Sequence, residues 1–175
     1  GDLDARVVEV ISAHSGAFAL ERARKAGLPA EVISRKVHGR ALSDRILSAL
    51  PEDVDIIVLA GFLSILRGRI LDRFAGRILN IHPALLPDFG GAGMYGMRVH
   101  RAVLESGARE SGCTVHIVDE GTDTGPIVLQ RKVPVKPGDT PESLSERVRG
   151  VEHGALVDAL RMLATQLGPT REESA

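Results

Sequence analysis

Between Val54 and Phe62 the chain reads VDIIVLAGF, an almost unbroken apolar run. Such a run predicts a parallel strand buried on both faces, with helices packed above and below it. The flanking sequence supplies partners of both kinds. Ala5 to Ser12, ARVVEVIS, is short and rich in β-branched residues, which favours a strand, and Glu31 to Ser34 reads as another. Ala17 to Ala26 places Phe18, Leu20, Ala23 and Ala26 near helical spacing, with Gly27 and Pro29 as the stop. Arg40 to Leu50 carries Leu42, Ile46, Leu47 and Leu50 on one face before Pro51. Ser64 to Phe74 reads as a further helix ended by Gly76.

The second half continues the alternation. Ile78 to His82 is a short strand broken by Pro83, followed by a proline- and glycine-containing loop from Pro83 to Gly96. Met97 to Ser106 predicts a helix with Val99, Ala102 and Val103 inward and Gly107 as its stop. Strands at Thr114 to Asp119 and Ile127 to Val135 flank the turn-rich GTDTGP. A last long helix starts where Thr140 can cap it, Pro141 suits its first position and Glu142 lies near the positive end of its dipole. Strands alternating with helical patterns specify one α/β domain with a largely parallel sheet. There is no internal repeat and no linker, and the charged tail Pro169 to Ala175 is expected to be disordered.

Composition removes several classes of function. A net charge of −1 on 175 residues offers no electrostatic footprint for nucleic acid or an acidic membrane surface. One cysteine, Cys113, excludes an internal disulfide and a CxxC pair, and a reducing cytoplasm is the simplest home. No apolar run reaches the roughly 18 residues of a membrane span.

In an open α/β sheet, ligands bind beyond the carboxyl ends of the strands, and three polar groupings meet that test. Asn80 and His82 are two residues apart at a strand end, so they project from one face and can act on one reacting atom. The segment DEGTDTGP, Asp119 to Pro126, is an acidic turn that can bring a carboxylate beside an imidazole from another strand. Glu152 falls on the edge of the buried stripe Val148, Val151 and Ala155, while His153 points away. Taken singly, the first two have plain structural explanations, a satisfied histidine and a turn that bonds its own backbone, whereas an acid beside a buried stripe needs a partner or a ligand. Other signals are weaker. Gly91, Gly93 and Gly96 spell GxGxxG but follow a proline-bounded loop instead of a strand, so they read as a flexible loop. The six histidines show no metal-ligand spacing, and no metal is expected.

Together, NIHPALLPDFGG from Asn80 to Gly91, TVHIVDEGTDTGPIVLQRKVPV from Thr114 to Val135 and the pair Glu152 and His153 resemble the formyltransferase family that uses 10-formyltetrahydrofolate. Within it they are most similar to the branch that formylates glycinamide ribonucleotide in purine biosynthesis. The likeness runs from about Leu3 to about Ala164. It implies a single Rossmann-like domain over residues 1–168, with a mostly parallel sheet, helices on both faces and an incomplete amino terminus. The family's first strand, at the middle of the sheet, and the glycine- and serine-rich loop that holds the substrate phosphate have no counterpart after Gly1. The strand at Ala5 and the strand at Val54 are therefore not expected to pair directly.

The resemblance also implies roles. Asn80, His82 and Asp123 match the family's catalytic trio, with His116 in support. A folate cleft is implied at Phe62, Leu63, Ile65 and Leu66 together with Val118, Asp119 and Glu120. Backbone groups of Leu63 and Leu66 would face the pterin, with Phe62 and Ile65 as walls. Pro83 and Glu152 would meet the ribonucleotide. The co-substrate implied is 10-formyltetrahydrofolate, with small-molecule partners only and a monomer or homodimer. Formyltetrahydrofolate hydrolases resemble the chain in the same trio but usually carry a second histidine where Pro83 stands. Methionyl-tRNA formyltransferases would show an arginine-glycine pair in the loop that here reads DFGGAGMYGMRVH. A folate-binding remnant without turnover is the remaining alternative. The glycine-rich loop Gly90 to Val99 departs from many members of the family, so no contact is carried over to it.

Overall fold

A computed structural model describes residue 3 and residues 5–168. In chain order the elements are β1 (Val10–Ser12), α1 (Phe18–Lys25), β2 (Ala30–Val32), α2 (Arg35–His38), a 3-10 turn (Gly39–Ala41), α3 (Leu42–Ala49), β3 (Ile57–Leu59), α4 (Arg69–Arg73), β4 (Ile78–His82), α5 (Met97–Glu105), β5 (Glu110–Ile117), β6 (Ile127–Pro134) and α6 (Pro141–Leu167). The expectation for the tail from Pro169 lies outside the described residues.

The strands form two sheets, β1-β2 and β3-β4-β5-β6. β1 pairs in parallel with β2 and β3 in parallel with β4, whereas β4-β5 and β5-β6 are antiparallel. The connection between β5 and β6 is too short for the crossover that a parallel pair needs. No ladder joins β1 to β3 among the described residues.

β4 carries the architecture. Its side chains alternate between two apolar clusters, as the two-residue period of a strand requires. Leu79 faces the larger cluster, built with Val99 and Val103 of α5, Cys113 and Val115 of β5, and Leu144, Val148, Ala155, Ala159 and Leu163 of α6. Ile78 faces the other, with Ile33, Leu42, Ile46, Leu66, Ile70 and Phe74. Asn80 and His82 share the face of Ile78, so the polar end of β4 continues an apolar wall.

Several elements are shorter than the sequence suggests. The run Val54 to Phe62 is a strand only at Ile57–Leu59, where β4 opposes it, and Val58 is 39% exposed. The expected cover on both faces is therefore not present along β3. The stretch expected as a strand from Ala5 holds ladder pairs only at Val10–Ser12, where β2 lies alongside. The helix expected from Ser64 begins at Arg69, because Gly68 takes φ +67 and breaks the helical path. In α1, Leu20 and Ala23 are buried but Phe18 is 66% exposed, so Phe18 is not on the inner face. The helix expected from Arg40 to Leu50 is α3, which starts at Leu42 after the 3-10 turn, and the short α2 ahead of that turn is not among the expected elements.

Candidate active site

β4 and β5 position the site through their register. Asn80 lies opposite His116 and His82 opposite Thr114. All four side chains emerge on one face, since residues paired across an antiparallel ladder point the same way. The connection from β5 to β6 then folds back over this face. Its first residue, Val118, donates its N–H to the Ile78 carbonyl at 2.8 Å, which extends the ladder by one step. Gly125 is buried where a Cβ would overlap the Ile117 carbonyl oxygen, so only glycine allows the return. Asp123, at the tip, has φ +58.

The result is a carboxylate between two imidazoles. Asp123 Oδ2 lies 3.5 Å from His82 Nδ1, and Asp123 Oδ1 lies 3.5 Å from His116 Nε2. Asn80 Nδ2 stands 3.0 Å from His116 Nε2, and His116 Nδ1 is 2.9 Å from the Ile117 carbonyl. These distances suit a His116 tautomer that donates from Nδ1 to Ile117 and accepts from the Asn80 amide at Nε2. Such a tautomer fixes the Asn80 amide group with one N–H uncommitted. His82 Nε2 is 2.6 Å from the carbonyl oxygen of Phe89, and Gly91 N–H donates to Asp123 Oδ2 at 3.0 Å.

Electrostatics separate the acid from the bases. Burial pulls His82 below its ordinary value, and the opposing influences of Asp123 and the Phe89 carbonyl do not restore it. The imidazole is therefore neutral at pH 7. Burial alone would raise Asp123, but the nearby His116 ring, the Gly91 N–H and the His82 imidazole override it, so its carboxyl sits below the usual aspartate value.

The expected folate residues divide into two groups. Leu66 is in the apolar cluster on this face, and Phe62 and Val118 pack against it, which brings the segment after β3 together with the loop after β5. Leu63 and Ile65 are exposed, at 69% and 44%. Leu59 pairs with Asn80, so this segment leaves the sheet level with the trio. Asp119 is occupied within its own turn, accepting from Gly121 N–H and the Thr124 hydroxyl, and Glu120 is exposed. Pro83 directly follows His82 and is half-buried.

Among the described residues Glu152 makes no hydrogen bond or ion pair with the trio. It lies on α6, whose apolar stripe covers the other face of the sheet, and its charged or titratable neighbours are Arg149 and Cys113. Burial raises its carboxyl, against the opposing charge of Arg149. Burial, and then Glu152, push the Cys113 thiol up to about 11.

Two residues outside the expected set, Thr114 and Gln130, hold the site together. The Thr114 hydroxyl accepts from Leu86 N–H at 3.0 Å and donates to the Ala84 carbonyl at 2.7 Å. Gln130 Nε2 donates to Thr114 Oγ1 and to the Leu86 carbonyl. The ladder register carries the signal that could have found them: His82 faces Thr114, and Thr114 faces Gln130.

Comparison with known proteins places the chain in a family. A family model described as formyl transferase matches residues 1–160. A trifunctional purine biosynthetic protein adenosine-3 from Gallus gallus is 45% identical over 166 residues, covering 92% of this chain and 16% of that protein. A chloroplastic phosphoribosylglycinamide formyltransferase from Arabidopsis thaliana is 40% identical, covering 99% of this chain and 61% of that protein. The chain thus spans less than two thirds of either relative. The crystal structure of glycinamide ribonucleotide transformylase 1 from Symbiobacterium toebii superposes with a TM-score of 0.83 at 39% identity, over 97% of this chain and 79% of that one. The α/β frame, the polar end of β4 and the sequence match over residues 1–160 agree, and the chain belongs to the formyl transferase family.

Proposed function

We propose that the protein transfers the formyl group of 10-formyltetrahydrofolate to the glycine amine of glycinamide ribonucleotide, by direct attack through a tetrahedral oxyanion. The observation that carries this reading is Asp123 set between His82 and His116 with Asn80 alongside. The reaction needs a donor at the developing oxyanion and a route for one proton from the attacking amine to the departing nitrogen. Asn80, oriented through His116, supplies the donor. A preorganised donor of this kind contributes about 2.7–4 kcal/mol. His82 starts neutral and accepts the proton, and Asp123 steadies the cation that results.

Phe62, Leu63, Ile65 and Leu66 with Val118, Asp119 and Glu120 form the proposed folate cleft. The exposed Leu63 and Ile65, on the segment that follows the Leu59–Asn80 pair, suit an apolar ligand wall with few polar anchors. Pro83 and Glu152 are proposed at the ribonucleotide, Glu152 being a half-buried carboxyl with no ion pair among the described residues. No described helix is long and apolar enough to cross a membrane, and a reducing compartment such as the cytoplasm fits the single buried thiol. The assay is formyl transfer by the whole protein from 10-formyltetrahydrofolate to glycinamide ribonucleotide. His82→Ala and Asp123→Ala are each expected to lower kcat by about 10²–10⁴-fold. Undiminished turnover in both removes the role assignment, and formate release without formylated product favours a hydrolase instead.

A further inference from the structure

The loop after β4 touches the site twice, and both contacts come from its backbone. The Phe89 carbonyl lies 2.6 Å from His82 Nε2, and two residues on the Gly91 N–H reaches Asp123 Oδ2 at 3.0 Å. A carbonyl only accepts, so the short contact to Phe89 requires a proton on Nε2. The neutral ring then presents the lone pair of Nδ1 to Asp123 Oδ2, the same oxygen that Gly91 holds. A separation of 3.5 Å is long for a hydrogen bond, so Nδ1 has no proton committed to that oxygen.

The loop is anchored on the approach to this contact. Thr114 and Gln130 hold the backbone of Ala84 and Leu86, and the Phe89 side chain packs against the larger apolar cluster. Between the two contacts stands Gly90. A Cβ there would overlap Leu86 Cδ2 and stand 3.2 Å from the Asp123 Cβ. Leu86 is itself buried, so there is little room for it to retreat.

We propose that the backbone of Phe89–Gly91 is a positioning clip that holds His82 as its Nε2–H tautomer and makes Nδ1 the atom through which the imidazole exchanges its proton. The proposal rests on the formyl-transfer reading for its catalytic meaning. The proton balance is complete. As the amine bonds to the formyl carbon, its proton passes to Nδ1 and the ring becomes a cation held by the Phe89 carbonyl and Asp123. When the carbon–nitrogen bond to the folate breaks, Nδ1 returns the proton to the departing nitrogen and the Nε2–H form is restored. Gly90 is a positioning residue: its missing side chain lets the clip lie against Asp123.

Two measurements test this. In the whole protein labelled with 15N-histidine, the His82 signals, assigned by their loss in His82→Gln, should show a protonated-type Nε2 and an unprotonated-type Nδ1 at pH 7.5. The reverse pattern, or averaging between the tautomers, overturns the proposal without need of any loop variant. Gly90→Ala should then lower kcat by about tenfold to a hundredfold with both KM values unchanged, and should disturb the tautomer signals. An unchanged kcat, or a fall carried by KM alone, overturns the clip. If the unsubstituted protein transfers no formyl group, the functional reading fails by itself, and the tautomer signals still decide the geometry.

Discussion

Thr114 uses one hydroxyl for three contacts, and all of them serve the segment that follows His82. Replacing it with valine keeps the shape but leaves the buried Leu86 N–H and Ala84 carbonyl without their partner. An orphaned buried group costs about 1–3 kcal/mol. Thr114→Val is therefore expected to lower stability by about 2 kcal/mol, read as a lower urea midpoint at unchanged slope, while Thr114→Ser stays close to the parent. A valine variant as stable as the parent removes Thr114 from this role. The contrast with Asn80 and His82 shows what sequence can reveal at this scale. Those two are legible because a strand's period places i and i+2 on one face. Thr114 bonds to a residue 28 positions away, and the contacts of Phe89 and Gly91 are made by backbone groups that every residue carries. No residue identity signals a backbone contact, so that part of the site becomes visible only in the folded chain.

At the scale of elements, legibility follows how local the causes are. β4 has the bounds its sequence predicts because Pro83 stops it. α6 begins as expected: Thr140 accepts from Ser143 N–H, the Ser143 side chain returns the bond, and Pro141 opens the helix. By contrast β3 depends on which backbone lies beside it, and an apolar run carries no record of its neighbours. The antiparallel pairing of β4 with β5 is equally hidden, since a connection long enough to hold α5 permits either direction. The cap of α6 gives the prediction at this scale. Its helix supplies Leu144, Val148, Ala155, Ala159 and Leu163 to the larger cluster, so fraying at the start reaches the core early. Thr140→Ala is expected to cost about 1 kcal/mol in urea unfolding, and Thr140→Asp, another good capping residue, much less. Equal losses in the two variants would show that the cap contributes nothing specific.

For the whole molecule, the buried ionisable groups set how stability depends on pH. His82 and His100 are 4% and 3% exposed, and burial lowers both below the ordinary value of 6.5. His100 is lowered further by the charges of Arg149 and His82, and its Nδ1 has no hydrogen-bond partner among the described residues. A group of this kind binds its proton in the unfolded chain first. Its contribution to stability is complete above pH 6.5 and is lost as pH falls through the lower folded value. Asp123 is depressed below 3.8, so its contribution holds above that value and disappears only in stronger acid. Glu152 acts in the opposite sense: its carboxyl is raised from 4.5, so its influence favours the folded state below that value and declines as pH rises. Between pH 6.5 and 5, the two histidines therefore carry the loss. Each supplies a slope of at most about 1.4 kcal/mol per pH unit. Urea midpoints should be level from pH 8 to 7 and then fall with acid. In His100→Leu, where an apolar side chain replaces a buried imidazole lacking one partner, the fall should be visibly shallower while the level portion is retained. A parent profile flat to pH 5, or an equal slope in the variant, would mean that these imidazoles are hydrated in the folded protein and that their burial does not govern its acid stability.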